Sequence, residues 1–522
     1  MTRWSAERLV FAVAAGALVL AVLVPFGALF VGLGADLVGD HVTELALLES
    51  TRPWRLFAIT FVRAACVAAC ALAIGVPFGV LVARSDAPGR RVAFALHGLP
   101  GFLPPYLLAL GWFHLFGRTG LFGSEWTASL LFGEFGAVAV LTLALAPLAT
   151  ALTALGAWGM DASLEDAARV TASPKRVLAR TVLPAAAPGI AVAAVLIFAL
   201  AFAEVGVPML LRVDAYPAAV LARLGGIDFA PSEALVLALP LGLVALVLLA
   251  LERRLVASRD YAVLGLRGAA RAPLPLDGWR VPAAVACALA AVLAVAPLLA
   301  LGIVAARGGG LTSVPQWIGG SFGVSLLTAT GGATVIVLLG VPLAHALIRG
   351  RPGARLTDGL AILAFVTPAA VLGVGLIQTW NRPSTAWLYG SLAIVVLGFV
   401  ARYAAVGLRA SASVLAQSSP RLEESAAVLG AGYLRRLLSL LVPLHARGLL
   451  GAWLLTFIFC LRDLESAILT YPAGGAPLAV RIFTLEANGP EPVVAALACV
   501  QVSLVAAVLV ALALLARPGA SR

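Results

Sequence analysis

The sequence predicts an all-α polytopic membrane protein with about twelve transmembrane helices, arranged as two related six-helix halves. Three observations support this prediction: the composition, the spacing of long apolar runs, and internal repetition. The chain has 522 residues, of which 62% are hydrophobic and 12% are charged, and its mean hydropathy is +1.04. Soluble domains carry about 25% charged residues. The composition therefore indicates a chain that lies in a bilayer.

Twelve apolar runs are long enough to cross a membrane, because about 20 helical residues span its hydrocarbon layer of about 30 Å. The first six lie near residues 8–33, 56–83, 92–116, 136–157, 186–207 and 232–251. The second six lie near residues 281–306, 320–348, 359–380, 388–408, 447–470 and 492–516. The first run is too long for the apolar core of a cleaved signal peptide, so we expect it to remain as the first span.

The distribution of basic residues predicts the orientation of the chain. We assign residues 1–258 to the first half, 259–280 to an Arg-rich linker and 281–522 to the second half. With the N-terminus inside, most of the 36 Lys and Arg residues fall in cytoplasmic segments, as the positive-inside rule requires. Both termini and the linker are then cytoplasmic. The net charge of +11 indicates topology and contact with anionic lipid, and we expect no nucleic acid partner.

The five cysteines are Cys66, Cys70, Cys287, Cys460 and Cys499. All of them fall inside apolar runs and none has the paired spacing of metal ligands. We expect Cys66 and Cys70, which share a helix face, to pack in the interior. No metal site is firmly assigned.

Two polar, basic islands interrupt the apolar pattern, one in each half, at residues 163–184 and 419–443. Their terminal prolines, Pro184 and Pro443, are 259 residues apart, and this offset places Glu165 on Glu424. Each island is predicted to be a short helix, a turn and a second short helix that ends near the proline. Such a module, duplicated on the cytoplasmic face, fits a groove on a soluble partner. The alternative is an amphipathic loop that lies in the headgroups.

The repetition extends upstream of the islands. GVPFGVLVAR at residues 75–84 pairs with GVPLAHALIR at 340–349, and PPYLLALG at 104–111 pairs with PAAVLGVG at 368–375. The order of the matching segments is the same in both halves. Because each half contains an even number of predicted spans, the two halves should have parallel orientation in the membrane.

The islands resemble the coupling loop of binding-protein-dependent ABC importer permeases, whose pattern is Glu-Ala-Ala, three residues, Gly, nine residues, Ile, one residue and Leu-Pro. In the second island the matching residues are Glu424, Ser425, Ala426, Ala427, Gly430 and Pro443. In the first island they are Glu165, Asp166, Ala167, Ala168, Thr171 and Pro184. The resemblance covers nearly the whole chain and implies the type I ABC importer permease fold.

The first island departs from the pattern at two positions, since Asp166 replaces Ala and Thr171 replaces Gly. A β-branched Thr does not readily take the positive φ that is open to Gly. We therefore expect the first turn to be built differently. We also expect a charge change at Glu165 to be milder in effect than the same change at Glu424.

The fused double permease resembles the ferric iron and thiamine group of this family. The segments that carry this similarity are FAEVGVPMLL at 202–211, LRDLESAILTYPAG at 461–474 and residues 387–430. The resemblance implies ferric iron as the substrate, with thiamine, 2-aminoethylphosphonate and polyamine as alternatives. An ion-driven secondary transporter also has twelve helices, but it does not need two duplicated islands. A membrane enzyme would need a clustered catalytic set, which we do not find.

The resemblance also implies the partners. They are two cytoplasmic ATP-binding subunits, which would hold ATP and Mg, and a periplasmic or extracellular substrate-binding protein. The only lysine, Lys175, has no Gly-rich phosphate loop before it, so the chain is not expected to be an enzyme or to bind a cofactor itself. The implied location is the bacterial cytoplasmic (inner) membrane.

Ionisable residues within apolar runs are candidates for the transport pathway, because burying charge in a membrane is costly. The pathway or gate candidates are Glu204, Asp463, Glu465, Arg462 and Tyr106. At about 1.5 Å per helical residue, Glu204 and Asp463 lie near the external ends of their helices. They could meet a cation at an outer gate, or an Arg462–acid pair could stabilise helix ends.

Three more residues have weaker assignments. Gln378 and Trp380 could line the same path. Arg402 is expected to extend its guanidinium to an interface rather than to face the path.

Overall fold

The computed structural model describes residues 3–38, 49–160, 162–225, 231–257, 273 and 276–515. Most of the predicted linker at 259–280 and both extreme termini lie outside the described residues, so their assignments remain predictions. The helices of the first half are α1 (Arg3–Val38), α2 (Thr51–Arg84), α3 (Arg90–Gly98), α4 (Pro105–Phe116), α5 (Glu125–Leu131), α6 (Glu134–Gly159), α7 (Ala162–Thr171), α8 (Pro174–Val177), α9 (Leu183–Ala203), α10 (Gly206–Leu210), α11 (Tyr216–Gly225) and α12 (Pro231–Ala257).

Within the described residues, the second half repeats this order with two added helices, α14 (Gly310–Ile318) and α22 (Val442–Leu444). Its helices are α13 (Arg280–Arg307), α14 (Gly310–Ile318), α15 (Ser321–Ile348), α16 (Ala354–Val366), α17 (Ala369–Trp380), α18 (Ala386–Tyr389), α19 (Ala393–Leu415), α20 (Pro420–Val428), α21 (Tyr433–Arg436), α22 (Val442–Leu444), α23 (Ala446–Leu461), α24 (Ala467–Thr470), α25 (Leu478–Glu486) and α26 (Glu491–Leu515).

The prediction of a polytopic all-α protein is confirmed. Within the described part of the chain, nine helices are long and apolar enough to cross a membrane, and twelve segments are if each of three bent helix pairs counts as one. The pair formed by α3 and α4 bends by 108°, and so does the pair formed by α16 and α17. The bends occur where the chain reaches Pro104 and Pro368, since a proline breaks the helical hydrogen-bond ladder and disfavours helix in the residue before it.

Helix direction shows that these bent pairs cross the bundle. Gly75 lies against Ala149, and Gly79, four residues later, lies against Thr153. Both α2 and α6 therefore run in the same direction. A Cβ on Gly75 would be 2.5 Å from that of Ala149, so only glycine permits this approach. Because two parallel neighbours must be joined by one return crossing, the α3–α4 pair crosses the bundle despite its bend.

The second half has the same geometry. Gly332 lies against Phe399, and Gly340 lies against Gly407, so α15 and α19 are also parallel and the α16–α17 pair makes the return crossing. This accounts for two of the three bent pairs among the twelve segments.

The first helix of each half packs on the other half. In the first case α1 packs on α15, α16, α17 and α19, and in the second α13 packs on α3 and α4. Gly375 lies against the Pro25 carbonyl of α1, and Gly111 lies against the Pro297 carbonyl of α13. The two contacts are equivalent in the two halves. The halves are therefore joined by an exchange of helices.

The cysteine prediction was wrong for one pair. Cys66 and Cys70 lie on an exposed face of α2, because an apolar side chain at the outer surface of a membrane bundle is solvated by lipid. Cys287 and Cys460 are buried.

Candidate functional site

Each island is a short helix, a turn and a second helical segment, as predicted. In the first island α7 leads through a turn to α8, and in the second α20 leads to α21. A π-helical turn follows in both, at Leu178–Val182 and Leu437–Leu441. These turns lie just before Pro184 and Pro443, where the missing backbone N–H favours a local change in the hydrogen-bond ladder.

A buried glutamate anchors each island to the helix bundle. Glu165 at the start of the first island is 1% exposed and forms ion pairs with Arg84, the last residue of α2, and with Arg169 at 2.7 Å. Both guanidinium groups compensate the buried carboxylate. Burial alone would raise the pKa of Glu165, but the hydrogen bonds and charges of the two arginines outweigh it and lower the pKa.

The second island has the equivalent anchor at Glu423, which is 7% exposed. Its carboxylate binds His345 Nε2 at 2.8 Å and also pairs with Arg349. Burial again raises the pKa of Glu423, yet hydrogen bonds from His345 and Arg349 prevail and lower it to about 2. Sequence reasoning missed this anchor, although Arg84 and Arg349 end the two matched upstream segments.

The anchors correct the register between the islands. Arg84 and Arg349 occupy equivalent helix ends, so the counterpart of Glu165 is Glu423 and not Glu424. The counterpart of exposed Glu424 is therefore Asp166, which is also exposed. The proline-based alignment was wrong by one residue because the distance from anchor to proline is 184 − 165 = 19 residues in the first island and 443 − 423 = 20 in the second.

The two turns differ in length and in backbone conformation. The second is one residue longer, because α8 begins 9 residues after Glu165 (174 − 165) and α21 begins 10 residues after Glu423 (433 − 423). Gly430 has a φ of +90°, whereas neither Thr171 nor its neighbour Ala172 has a positive φ. The first turn is thus built differently, as predicted.

The outer face of each island is solvent exposed. Val170 and Val428 occupy equivalent positions and are each 87% exposed. The motif residues on this face are Asp166, Ala167, Thr171, Pro184, Glu424, Ser425, Gly430 and Pro443, while Ala168, Ala426 and Ala427 are half-buried. An exposed apolar residue beside acidic groups on a firmly anchored helix is suited to contact a soluble partner.

We expect Glu423→Gln to lower the stability of the chain by on the order of 3 kcal/mol near neutral pH, because it leaves Arg349 without its carboxylate partner. The native pKa of Glu423 lies below its ordinary value of 4.5. Its stabilisation is therefore present above pH 4.5 and is lost as the pH falls towards 2. Thermal unfolding of both proteins in detergent, at pH 7 and at pH 3, measures this difference. A difference in melting temperature between the two proteins that is as large at pH 3 as at pH 7 would contradict the assignment.

The pathway candidates meet in a cleft between the two halves. Tyr106, Glu204, Arg462, Asp463 and Glu465 all line it, as does Arg402. Gln378 and Trp380 are not among its lining residues. The cavity measures about 50 Å³, which holds only a few water molecules. Glu204 and Asp463 follow the ends of α9 and α23, as residue counting indicated, and the cleft that they line lies beside Arg402 in the middle of α19.

The expectation that Arg402 extends to an interface was wrong. Arg402 is 7% exposed, and it binds Glu465 at 2.6 Å and lies 3.5 Å from Asp463. Asp463 also accepts a hydrogen bond from Tyr403 and caps α24 through the backbone N–H groups of Ser466 and Ala467. Two buried acids on one helix end hold the guanidinium inside the bundle.

Contacts across the cleft join the halves through backbone atoms. Arg462 donates to the Gly101 carbonyl, and Glu465 accepts from the Val205 N–H at 3.2 Å. Glu204 accepts only from the Val207 N–H, at 3.2 Å, among its described contacts. The second half therefore supplies most of the charge. The matched glycines Gly75 and Gly340 lie against Ala149 and Gly407. This pairing of α6 with α19 places the apolar Ala144 and Leu145 where the second half has Arg402 and Tyr403.

Among the described residues, no group of three or more His, Cys, Asp or Glu side chains could hold a metal ion. Asp463 and Glu465 are already engaged by Arg402, so the cleft does not form a preassembled ferric iron site.

No family model matches the chain. A probable molybdenum ABC transporter permease protein of Haloferax volcanii is 35% identical over 202 residues, which cover 38% of this chain and 71% of that protein. The spermidine/putrescine transport system permease protein PotC of Haemophilus influenzae is 28% identical over 197 residues, 38% of this chain and 72% of that protein. The molybdenum transport system permease protein ModB of Escherichia coli is 32% identical over 149 residues, 27% of this chain and 65% of that protein.

Proposed function

The chain belongs to the permeases of ABC transporters, and from that premise we propose that it carries both permease halves of a binding-protein-dependent importer in one polypeptide. Two anchored islands support this proposal, because each is fixed to the bundle by a buried glutamate and exposes an equivalent valine. Each island would bind one of two cytoplasmic ATP-binding subunits. Those subunits would hold ATP and Mg, and the permease itself would not hydrolyse ATP.

The proposed location is the cytoplasmic membrane of a bacterium, with both termini inside. A soluble binding protein would deliver the substrate to the opposite face. Uptake into proteoliposomes that contain the chain, its ATP-binding subunits and the binding protein tests this assignment. Uptake that continues without the ATP-binding subunits would favour an ion-driven secondary transporter instead.

For the substrate, we propose a molybdenum oxyanion first. The relatives from Haloferax volcanii and Escherichia coli carry molybdenum in their names. Arg462, whose described hydrogen bond goes to the Gly101 carbonyl and not to an acid, provides a guanidinium group at the cleft. Guanidinium groups match the geometry of tetrahedral oxyanions. Ferric iron is the second candidate, because the Glu204 carboxylate faces the same cleft and accepts only one backbone hydrogen bond among its described contacts.

Replacing Glu204 by Gln separates the two substrates. It replaces an ionisable carboxyl group of the cleft by a neutral amide, so molybdate uptake should stay the same or rise by at most about two- to threefold. Uptake of molybdate, ferric iron and spermidine is measured in parallel. Glu125→Gln is the matched control, since Glu125 is exposed and paired with Arg118 outside the cleft. If the parent chain takes up iron, and if this uptake falls in Glu204→Gln but not in Glu125→Gln, the result would show that iron, and not molybdate, is the substrate.

A further inference from the structure

The loop between α10 and α11 contains Arg212, the one non-glycine residue with a positive φ in the described part of the chain. Its φ is +57°. The loop closes α10 with a Schellman motif, in which the Val213 N–H donates to the Pro208 carbonyl at 2.8 Å. The Arg212 N–H donates to the Met209 carbonyl at 3.3 Å. The left-handed residue of such a motif is usually glycine.

The second half has glycine at the equivalent position. Thr60 of α2 accepts a hydrogen bond from the first N–H group of α11, at 2.9 Å, and Ser325 of α15 accepts one from the first N–H group of α25, at 2.7 Å. These contacts match α11 with α25. Arg212 and Gly474 each lie four residues before their helix (216 − 212 and 478 − 474), and Gly474 has a φ of +74°. Both halves therefore need a left-handed residue here, and only the first half has one that carries a side chain, at a cost in free energy that glycine avoids.

A buried arginine holds the strained loop in place. Arg63 of α2 is 3% exposed, forms an ion pair with Glu134 at 2.7 Å and donates to the Asp214 carbonyl. The matched segments at 75–84 and 340–349 place Thr328 opposite Arg63 in the second half. The first half therefore has its own support for this loop. Strained backbone persists only where the surrounding structure holds it, and it is concentrated at functional sites.

Contacts within the chain do not explain the arginine. The Arg212 side chain is exposed and its guanidinium lies over the ring of Phe132 at 5.8 Å. An exposed cation–π contact returns less free energy than the left-handed conformation costs. Glu486 of α25 is close enough for the Arg212 charge to oppose the rise that burial causes in the pKa of its carboxyl. The two groups form no ion pair, and among the described residues the Arg212 guanidinium has no hydrogen bond.

Arg212 lies on the face of the bundle opposite the islands. Its neighbour Phe132 stands two residues before α6, and the 26 residues of α6 lead towards the first island. At about 1.5 Å per residue, α6 separates the two faces by about 39 Å. Arg212 is not among the residues that line the cleft, so a substrate inside the cleft does not touch it. A ligand for this guanidinium must approach from outside the chain.

We propose that Arg212 is a docking residue for the soluble binding protein and binds an acidic side chain on the surface of that protein. The donors of an exposed guanidinium match a carboxylate, and the fixed loop presents them without a further loss of conformational entropy. Because the matched position is Gly474, the binding protein would meet the two halves differently, and this difference would set its orientation. The inference rests on the proposed function, since it requires a binding protein on this face.

Arg212→Gly separates folding from docking. It restores the glycine of the second half, so the melting temperature of the full-length chain in detergent should equal or exceed that of the parent. Uptake is measured in proteoliposomes with the ATP-binding subunits and with binding protein loaded with molybdate, ferric iron or spermidine in parallel. We expect the concentration of binding protein that gives half-maximal uptake to rise at least about fivefold. Arg212→Lys keeps the charge and should raise it less. A lower melting temperature, or an unchanged half-maximal concentration, in Arg212→Gly would overturn the proposal.

Arg307→Gln is the control for net charge, because Arg307 is exposed at the end of α13. An equal effect of Arg307→Gln and Arg212→Gly would show general attraction to a basic surface and would also reject the docking residue. Native mass spectrometry with phosphatidylglycerol tests a lipid headgroup as the ligand. Loss of bound lipid in Arg212→Gly, with unchanged affinity for the binding protein, would replace the protein partner with lipid. A parent chain that takes up nothing at any concentration of binding protein would reject the proposed function itself, and this inference with it.

Discussion

Glu165→Lys should prevent the chain from accumulating in a folded form. The new ammonium group would lie next to Arg84 and Arg169 at a position that is 1% exposed. Breaking a buried ion pair costs about 3–5 kcal/mol, which is a large part of the 5–15 kcal/mol that stabilises a typical protein, and the added repulsion increases the loss. The amount of monodisperse protein in size-exclusion chromatography measures the effect.

The matched control is the next residue along the chain. Asp166 is exposed, so Asp166→Lys should leave the protein folded and impair uptake by disturbing the docking face alone. Its counterpart Glu424→Lys should act in the same way. Normal amounts of folded Glu165→Lys protein would show that the anchor is unimportant. The sequence pattern predicts that a charge change at Glu165 has a milder effect than the same change at Glu424. Because Glu165 is the buried anchor, we now expect the opposite.

Gly430→Asp should abolish uptake while the protein stays in the membrane. Gly430 has a φ of +90°, and a residue with a Cβ pays about 1–2 kcal/mol for a left-handed conformation. The loop would relieve this strain by moving, and with it the exposed Val428 and Leu429 at the end of α20. Substrate-dependent uptake and co-purification of the ATP-binding subunit measure the result.

Gly432→Ala provides the control within the same turn. Gly432 has a φ of −68°, and a Cβ there would meet no atom within 4 Å. Uptake should remain near that of the parent chain. If both glycine variants lost uptake equally, the turn would be sensitive to any side chain, and the positive φ of Gly430 would not be the cause.

Local patterns in the sequence predicted what depends on local physics. Apolar runs of sufficient length predicted the membrane spans, and short charged segments that end at a proline predicted the two islands. The 108° bends are also indicated locally by Pro104 and Pro368. Residue periodicity alone, however, does not tell whether the chain crosses the membrane after such a bend or returns to the side from which it came. That distinction required the contacts of Gly75 and Gly79 with α6.

Other features depend on residues far apart in the chain. Arg402 can be buried because it forms ion pairs with Asp463 and Glu465, which lie about 60 residues later in the chain. The register of the islands could not be read from the sequence either, because the pattern selects Glu424 while the adjacent Glu423 makes the long-range contacts. Its ion pairs with His345 and Arg349 distinguish the two acids.

The exchange of first helices has a consequence for synthesis. The chain between the end of α1 and the start of α15 is 320 − 38 = 282 residues long, which a ribosome translates in about 14–56 s at 5–20 residues per second. During that interval α1 is already made but its packing surface is not. By contrast, α3 and α4 are complete before α13 emerges. Lipid can solvate α1 during the delay, so α1 is inserted well before it can reach its native neighbours.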